Sequence, residues 1–364
     1  MKFNFPEFQI IIQPPTKQKG PNLHNSNQTV SDAGEFNLIN RIKNILPDAK
    51  NDNLLVPIGD DTAVIKLDRN RVLLATCDIQ IEDQHFQLDF ISPYQLGRRA
   101  AAVNLSDIAA MGGTPTYALI SLGLPVNFPV SSFEKLFEGI KDQLADFSTL
   151  IVGGNLARSG NKLILDITLL GEAPAGSYLT RSGAKVGDRI FISGKIGMSG
   201  AGLHLLNEYG KTSPPGFENL IDKHLLPFPE IALGKKIAGS NLATAMIDIS
   251  DGFVSDLNHI CEMSQVGAEI HQEKLPFPKA FGEFEKLTGK KYLEFALHAG
   301  EDYELLFTVK QEVPIHILEK ISRETKTAIT EVGRITPKDK GLSLIKTNQQ
   351  KMKLQPEGWD HFAI

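Results

Sequence analysis

The chain has 364 residues, 41% hydrophobic and 22% charged, with 31 glycines and 20 prolines. That composition excludes collagen-like, low-complexity and intrinsically disordered chains, and at about 150 residues per domain the length suggests two domains. Lys plus Arg number 38 and Asp plus Glu 43, a formal charge of −5, so nothing in the overall charge favours nucleic acid or an anionic membrane.

A phosphate ligand would have to be held by local cations, helix N-termini or metal ions. The two cysteines, Cys77 and Cys261, form no CxxC, which argues against a zinc site or redox pair and for a reduced, cytoplasmic setting. No apolar run reaches the ~20 residues of a membrane span. The short run Ile10-Ile11-Ile12 is a poor secretory signal.

Residues 1–33 are polar and rich in Asn, Gln and Pro, and are expected to form a flexible extension. From Gly34, Phe36, Ile39, Ile42 and Ile45 recur at helical spacing until Pro47. Val72–Thr76 reads as a buried strand. Ser92-Pro93 reads as N-cap and first residue of a helix that runs through Ala101 and Leu105 to Met111 and stops at Gly112-Gly113. A strand is expected over Tyr117–Leu122, a helix over Phe133–Phe147, and strands over Leu150–Val152 and Leu163–Leu169. In the last of these Leu163, Leu165, Ile167 and Leu169 share one side.

The loop Thr180–Asp188 is the candidate domain boundary, giving 34–175 as an N-terminal domain and 176–364 as a C-terminal one. Beyond it, helices near 201–206, 231–238 and 254–263 alternate with strands near 189–193, 244–247, 268–271 and 303–309. Such alternation indicates an α/β or α+β class.

Common nucleotide signatures are absent. Gly187 to Lys195 fails as a P-loop, because the glycine spacing is wrong and Ile196 follows the lysine. Gly197 to Gly202 is not GxGxxG and reads instead as a helix entry where backbones approach closely. What stands out is a set of carboxylates at element ends: Asp60-Asp61, Asp78, Asp107, Asp248 with Asp251, and Glu301-Asp302. Any one of them reads first as a solvated turn or a cap. Asp107, however, sits in a helix that is apolar nearly all round, with no cation one turn away. A buried carboxylate must be paired or bound to metal. Several such residues without a P-loop point to a magnesium–phosphate site.

These segments resemble a known family. Gly34-Glu35-Phe36, Ile58-Gly59-Asp60-Asp61, His85-Phe86, Ala102 to Gly112, Thr180-Arg181-Ser182-Gly183-Ala184, Ile247 to Gly252, Gly300 to Leu305 and Asp360-His361-Phe362-Ala363 are similar to motifs of the thiamine-monophosphate kinases, in their order. These belong to the ATP-binding superfamily of aminoimidazole ribonucleotide synthetase.

The resemblance implies a two-domain α/β fold whose N-terminal domain forms a β-barrel with its twin in a homodimer. It also implies transfer of the γ-phosphate of ATP to thiamine monophosphate, assisted by several magnesium ions. Residue by residue, it implies Asp61, Asp78, Asp107, Asp248 and Asp251 as magnesium ligands, with Asp107, Asp248 and Asp251 central to catalysis. Thr76 and Cys77 fall where the family uses hydroxyl residues near the metals. Arg181 and Ser250 match ATP contacts, and Gly153-Gly154 match a nucleotide-binding loop. Asn155, a metal and nucleotide position, stands where many relatives carry Asp. His85, Glu301 and Trp359 match the thiamine-phosphate site.

A selenophosphate synthetase would need a reactive cysteine in an N-terminal glycine-rich loop, and residues 1–33 contain none. A non-catalytic nucleotide-binding regulator is the alternative of a different class. Asn155 and Cys77 favour it, and the retained aspartates oppose it.

Overall fold

The computed structural model describes residues 29–46 and 51–356. Most of the expected flexible extension, and Trp359, lie outside them. Residues 30–45 form two helices, α1 (Val30–Ala33) and α2 (Glu35–Ile45). The first opens with a capping box in which Thr29 and Asp32 satisfy each other's backbone amides, so the chain is already helical before Gly34.

The other described residues carry two sheets. In chain order the first half contains β1 (Leu54–Val56), β2 (Ala63–Lys66), β3 (Arg71–Ile81), α3 (Pro93–Ala110), β4 (Thr114–Leu124), α4 (Val130–Ala145), β5 (Leu150–Arg158) and β6 (Ile164–Pro174). Its strands make a six-stranded sheet in the order β1-β2-β3-β6-β4-β5, antiparallel except for the β4–β5 pair. The alternation expected for 163–169 holds: Leu163, Leu165, Ile167 and Leu169 are all buried. That face packs under α3 and α4, while the other face is open.

Helix α3 begins as its sequence predicts. The Ser92 hydroxyl accepts from the Gln95 amide, the Gln95 side chain returns to the Ser92 amide, and Pro93 occupies the first turn. Gly97 of α3 and Gly139 of α4 let the two helices touch, since a Cβ at Gly97 would overlap the Leu136 carbonyl oxygen and one at Gly139 that of Tyr94.

The second half contains β7 (Arg189–Ser193), α5 (Met198–Tyr209), α6 (Glu218–Leu225), α7 (Ile231–Ser240), β8 (Ala243–Asp248), α8 (Phe253–Ser264), β9 (Val266–His271), α9 (Phe281–Thr288), α10 (Tyr292–His298), β10 (Leu305–Val309), α11 (Ile315–Thr325), β11 (Ile329–Pro337), β12 (Leu342–Ile345) and β13 (Lys351–Lys353). Its sheet runs β13-β12-β9-β11-β7-β10-β8. It is buried on both faces. Phe191, Met246, Leu305 and Phe307 join the core beneath α3, while Ile190, Ile192, Ile247 and Leu306 face a second core with α5, α8 and α10. Alternation along each strand divides side chains between two cores, which explains why β10 is buried along its whole length, Thr308 included. The expected close approach at Gly197–Gly202 is present: Cβ atoms at Gly197, Gly200 and Gly202 would meet Ala296, Ala299 and the Leu220 carbonyl.

Candidate active site

Four chain segments meet at one acidic centre, and a fifth carries a neighbouring acidic group. Asp61 follows a turn after β1, Asp78 lies on β3, Asp107 on the last turns of α3, Asp248 at the end of β8, and Asp251 in the loop to α8. Asp61 and Asp248 are buried and Asp107 partly so, and one oxygen from each of the three lies within 4.8 Å of the others. Period-two alternation puts Thr76 and Asp78 on the β3 face that looks toward α3. The Thr76 hydroxyl donates to Asp107 Oδ2, and the Ser106 hydroxyl donates to Asp248 Oδ2 at 2.5 Å. Asn104 Oδ1 accepts from the Asp78 amide at 3.2 Å while its Nδ2 donates to the Ala100 carbonyl.

Among the described residues, Arg181 is the cation that faces this group. Arg181 donates through Nη2 and Nε to Asp61 Oδ1, at 2.6 and 3.1 Å, and its backbone amide donates to Asp60. One guanidinium does not neutralise three close carboxylates. Burial, together with Asp78, Asp248 and Asp61, holds the Asp107 carboxyl well above its ordinary range. Burial and Asp61 push Asp248 up to about 8, and burial with Asp61 pushes Asp60 up to about 7. The second carboxylate oxygen of Asp61 is buried and accepts no hydrogen bond from the described residues. A buried acceptor of that kind beside two more carboxylates suits a hard divalent cation with oxygen ligands.

Asp256, which sequence reading passed over, anchors the neighbouring loop. It is buried, and its Oδ2 accepts the amides of Ser250, Asp251 and Gly252 at 3.1–3.2 Å. Asp251, Asp256 and His259 also bring one ligand atom each within 4.8 Å. The 248–252 loop is in turn tied to 300–304. The Glu301 amide donates to the Ser250 carbonyl and the Tyr303 amide to that of Ile249, both at 2.8 Å. Glu301 and Tyr303 both have positive φ, 65° and 49°. The Glu301 carboxylate pairs with Arg99, a fully buried residue of α3 that also donates to the His224 carbonyl. Asp302 is no ligand candidate, since its carboxylate caps α5 through the amides of Gly197 and Ser199.

Other expected residues stand apart from this centre. His85 lies in the turn after β3, its Nδ1 accepting the Ile81 amide at 3.0 Å. Cys77 is exposed on the opposite face of β3, with Sγ 3.5 Å from Asp166. Gly153 and Gly154 lie within edge strand β5 and not in a loop. A Cβ on Gly154 would overlap the Ile120 carbonyl, so glycine is what lets β5 close on β4. Asn155 is opposite Ser121, which is opposite Asp166, itself opposite Ile79. That register puts Asn155 and Cys77 together on the sheet's open face. The sequence did carry a signal for the missed residues: Arg99, Asn104 and Ser106 are polar positions in an apolar helix, and Asp256 is an acid in the first turns of α8.

Residues 59–173 match the family described as AIR synthase related protein, N-terminal domain, and residues 185–345 its C-terminal domain. The chain is 37% identical over 333 residues to the thiamine-monophosphate kinase of Aquifex aeolicus, covering 92% of this chain and 99% of that one. To the thiamine-monophosphate kinase of Escherichia coli (strain K12) it is 36% identical over 331 residues, 91% of this chain and 98% of that one. Among solved structures, AaThiL complexed with AMPPCP and TMP superposes with a TM-score of 0.79 at 36% identity, covering 92% of this chain and 99% of that one. The hydrogenase maturation protein HypE of E. coli, at 19% identity and a TM-score of 0.66 over 86% of this chain and 96% of that one, shares the fold. The chain therefore belongs to the AIR synthase related family and, within it, to the thiamine-monophosphate kinases.

Proposed function

We propose that this chain transfers the γ-phosphate of ATP directly to thiamine monophosphate, giving thiamine diphosphate and ADP, in the cytoplasm. The observation that carries the reading is the convergence of Asp61, Asp107 and Asp248 around an unsatisfied carboxylate oxygen, in a kinase family without a P-loop. Asp61, Asp78, Asp107, Asp248 and Asp251 are the residues suited to hold magnesium, with Thr76 orienting Asp107. Bound magnesium would supply the positive charge that offsets the phosphates.

The need for that charge follows from the substrates. Two unit charges 4 Å apart repel by ~4 kcal/mol at an effective dielectric near 20, and both reactants bring ionised phosphates to the point of transfer. A phosphate monoester, with a second pKa of about 6, is largely ionised at neutral pH, so the acceptor needs no general base. The protein's task is positioning. Arg181 pairs with Asp61 here and lies at hand for a nucleotide phosphate. Ser250 and the segment Gly153-Gly154-Asn155 are assigned to the nucleotide. His85, whose Nδ1 accepts the Ile81 amide, is assigned to the thiamine-phosphate site. Glu301, and Trp359 by stacking, are assigned to the thiamine moiety with its cationic thiazolium ring.

A homodimer fits the open face of the first sheet, where Ile79, Tyr117, Leu119 and Leu150 are 49%, 45%, 40% and 63% exposed. Covering this face would also enclose Cys77 and Asn155.

Magnesium-dependent ADP release tests the activity. It should require thiamine monophosphate and yield thiamine diphosphate, with no phosphoprotein trapped in a single turnover. ADP release indifferent to the acceptor would refute the reading.

A further inference from the structure

Helix α3 is apolar around its end, with Leu105, Ile108 and Ala109 fully buried. Ser106 is equally buried, and alanine would suit the helix better at that point. A hydroxyl taken out of water needs a partner, and the partner here is the Asp248 carboxylate, itself 2% exposed. That hydrogen bond spans the two halves of the molecule, from the last turns of α3 to the end of β8. It fixes the plane of one carboxylate in a trio that would otherwise be free to rotate. A neutral hydroxyl does this without adding charge, so the carboxylate keeps its full attraction for a cation.

Resting on the metal reading above, we propose that Ser106 is a positioning residue for the divalent cation held by Asp61, Asp107 and Asp248. It acts through Asp248, as Thr76 acts through Asp107. Such groups, which orient metal ligands from behind, are worth about 10–100-fold in metal affinity.

The test uses the full chain and magnesium chloride alone, read as the cation-dependent rise in melting temperature. Ser106→Ala should melt close to wild type without magnesium and need about 10–100-fold more magnesium for the same rise. Ser106→Cys, which keeps a similar shape but donates poorly, should behave alike and serves if the alanine variant folds badly. Wild-type magnesium dependence in either folded variant overturns the proposal. Asp107→Asn separates the two levels. If it too leaves the magnesium response intact, the metal reading falls and takes the role of Ser106 with it. If it abolishes the response while the Ser106 variants keep theirs, only the positioning role falls.

Discussion

Replacing Asp107 by Asn should make the metal-free protein more stable while removing its response to magnesium. The substitution keeps the volume and the acceptor that Thr76 uses but deletes a charge. In the trio each close pair, at separations up to 4.8 Å, repels when fully charged by at least about 3.5 kcal/mol at an effective dielectric near 20. Asp107 takes part in two of those pairs. The protein already relieves part of this cost by holding protons, as the raised carboxyls of Asp107 and Asp248 show. The recoverable stabilisation is therefore smaller than two full pairs, on the order of 1–3 kcal/mol. Urea unfolding in EDTA and in excess magnesium measures both effects. Wild type should gain stability from magnesium and Asp107→Asn should not. Lower metal-free stability in the variant, or a magnesium gain equal to wild type, would show that the trio neither repels nor binds as argued.

Magnesium binding should release protons below about pH 8, because it requires carboxylates that the metal-free site holds raised, Asp107 well above its ordinary range and Asp248 at about 8. Calorimetry in two buffers of different ionisation enthalpy reads the release, and apparent affinity should rise from pH 6 to pH 9. Burial lowers His224 from 6.5 to about 4, with the Arg99 charge adding to it. The unfolded chain therefore takes that proton first, and as pH falls from about 6.5 to about 4 stability should decline by up to ~3 kcal/mol, a slope that His224→Gln flattens. Gly97→Ala should cost more than about 3 kcal/mol or block folding, since its Cβ meets α4 backbone that cannot move aside. Near-wild-type urea unfolding would refute that close approach.

Much of the fold was legible because its signals are local. The Ser92-Pro93 cap, the alternation of 163–169 and the limits of β7 follow from single-residue chemistry. Strands β11, β12 and β13 and helices α6, α9, α10 and α11 went unread. β13 is only Lys-Met-Lys, and β11 mixes charges with a register shift near Gly333, so their pairing comes from neighbours distant in sequence. In the site, the acidic motifs announced themselves, but which face each side chain takes depended on strand limits. Once β3 is known to run from Arg71 to Ile81, Cys77 must oppose its neighbours Thr76 and Asp78. The glycine pair at 153–154 suggested a loop, whereas the structure uses it for close strand contact.

The core beneath α3 includes Leu74 and Leu169 of the first sheet with Phe191 and Phe307 of the second. At Gly234, where a Cβ would strike the Ala109 carbonyl, α7 lies directly on α3. Halves joined in this way cannot swing apart as two jaws without exposing a shared oily interior, so substrate entry and product exit fall to the connecting loops. For the same reason, neither half expressed alone should hold its shape, and a cut between Thr180 and Asp188 should leave fragments that survive only by reassembling.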